Sequence, residues 1–176
     1  DQSDDVAGCI RQYSAKAGAG FEPDKWNRVD DTYEQHPFNP LRVYIGDRAG
    51  NPVPSPISST DTIWLHIEGE VTPGAASVRV GYAVVAEDGT LLYSSYHNDG
   101  DPGAGSGLRP GTVHLRTMIP RMLNEGSYRV ELIGSAHGRP SLFQARAGGP
   151  SLTLAIGEDL YKTQFWMLKR PGLLAP

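Results

Sequence analysis

Seven side chains carry most of the chemistry this sequence offers: Trp64, His66, Arg79, Tyr96, His97, His114 and Arg116. Each falls on the polar side of an alternating stretch or at its end. Together they are flat aromatic rings and flat hydrogen-bonding groups, which is the combination a sugar requires. A pyranose presents an apolar C–H face and a rim of hydroxyls. An exposed aromatic plate covers the first, with ring contact worth roughly 0.5–1.5 kcal/mol beyond area by analogy with aromatic pairs. Arg and His side chains match the second, and each unmatched buried donor or acceptor costs about 1–3 kcal/mol. The competing reading buries the indoles of Trp64 and Trp166 under the N-terminal segment or a partner subunit.

Other chemistries find less support. No G-x-x-x-x-G-K-[ST] run is present, so the chain has no phosphate-cradling loop of that kind. Asn98-Asp99-Gly100-Asp101 resembles a calcium loop but lacks the later ligand spacing and the distal Glu. His66 and His114 lie on different strands and could meet on one sheet face. Neither has a Cys or carboxylate at zinc-ligand spacing, so a metal is not expected there. No Ser sits in a G-x-S-x-G frame, and Cys9 is remote from any activating His. The carboxylates are scattered, mostly in turns. The residues therefore point to binding rather than catalysis, with a hydrolase or a His66–His114 metal site as the enzymatic rivals.

The elements that must position these residues are strands. Leu41, Val43 and Ile45 alternate with Arg42 and Tyr44, and Asp47 to Pro54 has turn composition. Ile63, Leu65 and Ile67 alternate with Trp64, His66 and Glu68. Val78, Val80, Tyr82 and Val84 alternate with Arg79, Gly81 and Ala83. Asp88-Gly89 supplies a positive-φ turn, so Leu91 to Tyr96 should return antiparallel. Asn98 to Gly111 is rich in Gly and Pro and reads as a surface loop. Further alternations run through Val113–Thr117, Tyr128–Leu132, Leu152–Ile156 and Thr163–Leu168. About eight strands with no helix between them predict an antiparallel β-sandwich with one core-facing side per sheet. Before them, Asp4 to Lys16 has a helical stripe of Val6, Ile10 and Tyr13, with Ser3 as N-cap. Phe21 to Asn39 has no period and reads as an irregular linker. The division is thus 1–39 for helix and linker and 40–176 for the sandwich.

Composition agrees. At 176 residues the chain can bury roughly 70% of its unfolded surface and needs no staple. One cysteine excludes an internal disulfide framework and fits a reducing cytosol at least as well as secretion. A net charge of −4 argues against nucleic acid as partner. No apolar run approaches the ~18–20 residues that span a bilayer, and no signal peptide is recognisable. A start at Asp1 without Met reads as a piece of something larger, and a processed chain would look the same.

The run VGYAVVAEDGTLLYSSYHND, followed by GTVHLRTMIPRMLNEGSYRVELI with its Ile-Pro and Leu-x-x-Gly-x-Tyr, resembles the C-terminal domain of Wzt-type ATP-binding subunits of polysaccharide ABC transporters. Val6 to Tyr13 resembles the helical tail leaving their ATPase domain, and Lys169 to Leu174 their C-terminus. The resemblance covers residues 40–174 well and the first 16 moderately. It implies an immunoglobulin-like sandwich that binds the non-reducing end of a lipid-linked O-polysaccharide (O-antigen, the glycan of lipopolysaccharide) and couples it to export. It also implies a homodimer, in which a terminal strand can be exchanged, and a membrane-spanning transporter subunit as partner. The location implied is cytoplasmic, at the inner face of the inner membrane. No cofactor is implied for this chain; ATP and magnesium belong to the ATPase domain. No binding triad transfers, so the seven residues named first stand on face and chemistry alone. The rival is a structural dimerisation or protein-interaction module that binds no glycan.

Overall fold

The computed structural model describes residues 21–157 except 23–24, 31, 60, 76, 100–107, 137–140 and 144–148. The helix expected over Asp4–Lys16, the strand expected over Thr163–Leu168, Trp166 and Cys9 lie outside the described residues.

The described chain is all β. It contains β1 (Phe21–Glu22), β2 (Lys25–Asn27), β3 (Phe38–Gly46), β4 (Ile57–Ser58) and β5 (Trp64–Val71). There follow β6 (Arg79–Ala86), β7 (Leu91–Tyr96), β8 (Gly111–Met118), β9 (Gly126–Ser135) and β10 (Ser151–Gly157). They form two five-stranded sheets, ordered β1-β2-β3-β5-β8 and β4-β10-β9-β6-β7. Pairing is antiparallel except between β4 and β10. This is the sandwich that the alternation predicts, and all seven predicted strands that fall among the described residues are present.

Period two explains the core. Leu65 and Ile67 of β5, Val80, Tyr82 and Val84 of β6, Tyr128, Val130 and Leu132 of β9, and Leu152 and Leu154 of β10 all point inward and are buried. The turns are equally local in origin. Gly89 takes φ 88°, and Ala86 and Thr90 close the β6–β7 hairpin through an N–H···O bond of 2.9 Å. Asp88 Oδ1 accepts the Thr90 N–H at 2.8 Å. In Leu123-Asn124-Glu125-Gly126-Ser127-Tyr128 the buried tyrosine hydroxyl donates to the Asn124 carbonyl at 2.9 Å. That bond ties the entry of β9 to the turn before it, in the manner of the tyrosine corner of immunoglobulin-like sandwiches.

The linker reading of Phe21 to Asn39 needs correction. Lys25–Asn27 pairs with Arg42–Tyr44, and β3 already begins at Phe38. Trp26 and Tyr33 pack on the core, and Tyr33 meets Phe143 edge-on with ring centroids 5.7 Å apart. These residues thus join the sandwich. Strands of two or three residues cannot display a period, so alternation does not reveal them.

Candidate functional site

Strand order decides which predicted residues meet. On the outer face of the first sheet the register aligns Tyr44, His66 and Arg116 in one row. Arg42, Glu68 and His114 make the next row, and Gly46, Trp64 and Met118 the row on the other side. Trp64, His66, His114 and Arg116 therefore share one face. Arg79, Tyr96 and His97 do not join them, because they close the far end of β6 and β7 in the second sheet. The two groups nonetheless approach each other: among the described residues β7 and β8 are the last strands of their sheets, and residues of both line one cleft.

Between β7 and β8 lies a cleft of about 500 Å³. That is within the roughly 300–1,000 Å³ typical of small-ligand sites. Ile67, Val80, Tyr82 and Leu115 form its apolar wall, and Ser95 and Thr117 add hydroxyls. Tyr96, His97 and Asp99 form one lip, and His114 and Arg116 the other. Beneath it Tyr82 and Tyr93 meet edge-on at 5.8 Å. Burial, and then the neighbouring Tyr82, pushes the Tyr93 hydroxyl far above the ordinary phenol range, so it stays neutral.

The lip from the second sheet is built by clamps. Arg79 lies over the Tyr96 ring at 4.4 Å and donates to Asn98 Oδ1 at 3.3 Å and Asp99 Oδ1 at 3.5 Å. Asp99 Oδ2 accepts the Tyr96 N–H at 2.6 Å. The His97 N–H donates to the Val80 carbonyl at 2.9 Å, and its Nδ1 sits 3.1 Å from the same oxygen. Asp99, read from sequence as part of a calcium-like run, thus organises a turn. Arg79 is a clamp, set away from the cleft's lining.

The expectation that His66 stands exposed on its face is overturned. Its side chain does point outward, but the residue is 0% exposed. The turn after β3 folds over it, Tyr44 stacks on it at 4.8 Å and 10°, and His114 tilts against it at 5.2 Å. His66 Nε2 lies 2.8 Å from the Asp47 carbonyl, which can only accept, so Nε2 carries the proton. Nδ1 then accepts from His114 Nε2–H, 3.0 Å away. The two histidines meet as a hydrogen-bonded pair. Among the described residues no group of three or more His, Cys, Asp or Glu could hold a metal.

The covering turn also brings in Arg48, which sequence reading passes over because a turn arginine gives no local signal. Arg48 and Arg116 each hold their guanidinium carbon 5.9 Å from the centre of the half-buried Trp64 ring. Arg116 Nη1 donates to the Arg48 carbonyl at 3.0 Å. Asp47 sets the turn: its carboxylate accepts from Asn51 Nδ2 at 2.8 Å, the Asn51 N–H at 2.9 Å and the Ala49 N–H at 2.8 Å. Those bonds, led by the Asn51 side chain, hold the carboxyl below its ordinary 3.8. A lowered folded value means that the turn's support is complete above about 3.8 and fades as pH falls through the folded value. We expect a carboxyl-carbon NMR titration of Asp47 to show a midpoint below 3.8, and Asp47→Ala to shift the Arg48 and Trp64 side-chain signals. Unchanged signals in that variant would refute the role of the turn.

No family model matches the sequence, and no curated protein matches it. Structural comparison does find a neighbour. A crystal structure of the C-terminal domain of Wzt superposes with a TM-score of 0.59, covering 90% of this chain and 88% of that one, at 17% identity. The chain has the fold of the Wzt C-terminal domain. At this identity the likeness concerns the path of the chain and carries no side-chain role. Among the described residues no helix is long and apolar enough to cross a membrane.

Proposed function

We propose that this domain is a non-catalytic carbohydrate-recognition module that takes the non-reducing end of a lipid-linked polysaccharide and presents it for ATP-driven export. The observation that carries this reading is continuity. The Trp64 plate with Arg48 and Met118 joins the β7–β8 cleft through Arg116, which borders both, and His114 lies further along the same cleft edge. A glycan end needs an aromatic plate for one sugar and a polar-lipped recess for the next. The Wzt-like fold supports the reading, as does the resemblance that runs through Ile119-Pro120 and Tyr128. In the transporter so inferred, two copies act together, and the ATPase domain and a membrane-spanning subunit supply energy and passage at the cytoplasmic face of the inner membrane.

Titration calorimetry with the O-polysaccharide of the source strain tests the proposal. Saturable binding is expected, and none would defeat it. Trp64→Ala should weaken that binding about tenfold, in keeping with about 1.4 kcal/mol of lost ring contact and burial. The thermal midpoint should move little, because Trp64 is only half-buried.

One observation favours the rival of a protein-interaction module. Among the described residues β8 borders its sheet, and Met118 at its end is 48% exposed. Such an edge can pair with another chain. Sedimentation of the Trp64→Ala and Arg116→Ala proteins separates the two. A lost oligomer with intact glycan binding supports the rival.

A further inference from the structure

Among the described residues the two guanidiniums beside Trp64 face no counter-charge. Neither Arg48 nor Arg116 forms an ion pair among the described residues, whereas Arg42, Arg79 and Arg129 each face a carboxylate. Two acids flanking the pair in the fold, Asp47 and Glu68, are otherwise engaged. The Asp47 carboxylate is held by Asn51 and Ala49. Glu68 sits in the row of Arg42 and His114, one row away from Arg116 and two from Trp64. The pair is also held in place: Arg116 donates to the Arg48 backbone, and both guanidiniums lie within 5.9 Å of the centre of one indole. Two like charges beside one ring repel each other in the absence of an anion. A neutral ligand covering them could offer hydroxyl acceptors but no opposite charge to offset the water stripped from two cations. Guanidinium forks match the oxygens of a carboxylate or a phosphate. The indole beside them matches a pyranose face.

We infer that the Arg48–Trp64–Arg116 plate selects an acidic sugar, a pyranose bearing a carboxylate or a phosphate, with the ring on the indole and the anionic oxygens between the two guanidiniums. This inference rests on the glycan-binding reading of the same surface and narrows its ligand class. The net charge of the chain is −4, so the preference would come from these two residues and not from a general attraction for anions.

The test follows the Trp64 indole N–H and the Arg48 and Arg116 Nε–H signals by NMR in the full chain. Sodium glucuronate, glucose 6-phosphate, methyl glucoside and inorganic phosphate are titrated separately. Glucuronate or glucose 6-phosphate is expected to shift all three signals at concentrations at least tenfold below methyl glucoside. The stronger of the two identifies the anionic group. Inorganic phosphate should be at least tenfold weaker than the better acidic sugar, and Arg48→Gln should abolish the preference. Equal response to methyl glucoside overturns the acidic preference and leaves glycan binding standing. Equal response to inorganic phosphate reduces the plate to a simple anion site and also overturns it. Silence toward every probe overturns it too. In that case calorimetry with the strain polysaccharide decides whether the glycan reading falls with it.

Discussion

Gly81→Ala is expected to destabilise the domain by about 3 kcal/mol, at the upper end of overpacking effects, and to abolish ligand binding in the cleft. A Cβ at this position would lie 2.0 Å from the Ser95 carbonyl oxygen and 2.7 Å from the Tyr96 Cα. Both obstacles are backbone, so no rotamer change relieves them. The close approach arises because the end of β7 folds onto β6: Gly81 pairs with Tyr96, and His97 bonds back to Val80. A methyl group there must push β7 outward. The displaced strand carries Tyr96, His97 and Asp99, which form one lip of the cleft. Chemical denaturation should therefore show a lower midpoint, and glycan titration a loss of at least tenfold. An alanine variant with wild-type midpoint and affinity would show that β6 and β7 are not packed this closely. Gly89→Ala separates this steric effect from a conformational one. There no atom lies within 4 Å of the added Cβ, and only the φ of 88° opposes it, so about 1 kcal/mol is expected.

The long strands are legible in the sequence because each buries alternate residues. Leu65 and Ile67 against His66 and Glu68, or Val80 and Tyr82 against Arg79 and Gly81, announce both the element and its inner face. The turn at Asp88-Gly89 is legible for a chemical reason, since it needs a glycine at positive φ. β1, β2 and β4 are not legible. They hold two or three residues each, and their pairing is dictated by β3 and β10 rather than by a pattern of their own.

The candidate site divides along the same line. Residue type and side of the strand were readable, so Trp64, His114 and Arg116 emerge together on one face. Three things depended on long-range order. Which edges adjoin follows from strand order, and only that brings Tyr96 and His97 across from His114 and Arg116. What covers an outward residue follows from loop path, and so His66 is buried although its strand pattern places it outside. Arg48 joins Trp64 only because Asp47 folds its turn back over β5. Alternation describes a strand's two sides but cannot say whether either side meets water.

His66 is therefore expected to act as a positioning residue of large structural weight. His66→Ala should destabilise the domain by about 3 kcal/mol, or about a hundredfold in the folded-to-unfolded ratio. The loss combines a cavity under the turn, the stack on Tyr44 and the bonds to Asp47 and His114. His66→Phe separates these contributions. It keeps an aromatic ring for Tyr44 and fills the space, but makes neither hydrogen bond, so about 1–2 kcal/mol is expected. Because the turn over His66 carries Arg48, both variants should also weaken glycan binding, although the ring itself never reaches solvent. The order of stability, wild type above Phe above Ala, is read from denaturant midpoints. A Phe variant as unstable as the Ala variant would assign the effect to the hydrogen bonds alone. An Ala variant of wild-type stability would show that the turn holds its place without the histidine. Arg48 would then be positioned by Asp47 and by the Arg116 bond to its carbonyl, and the affinity loss should appear only when those contacts are removed.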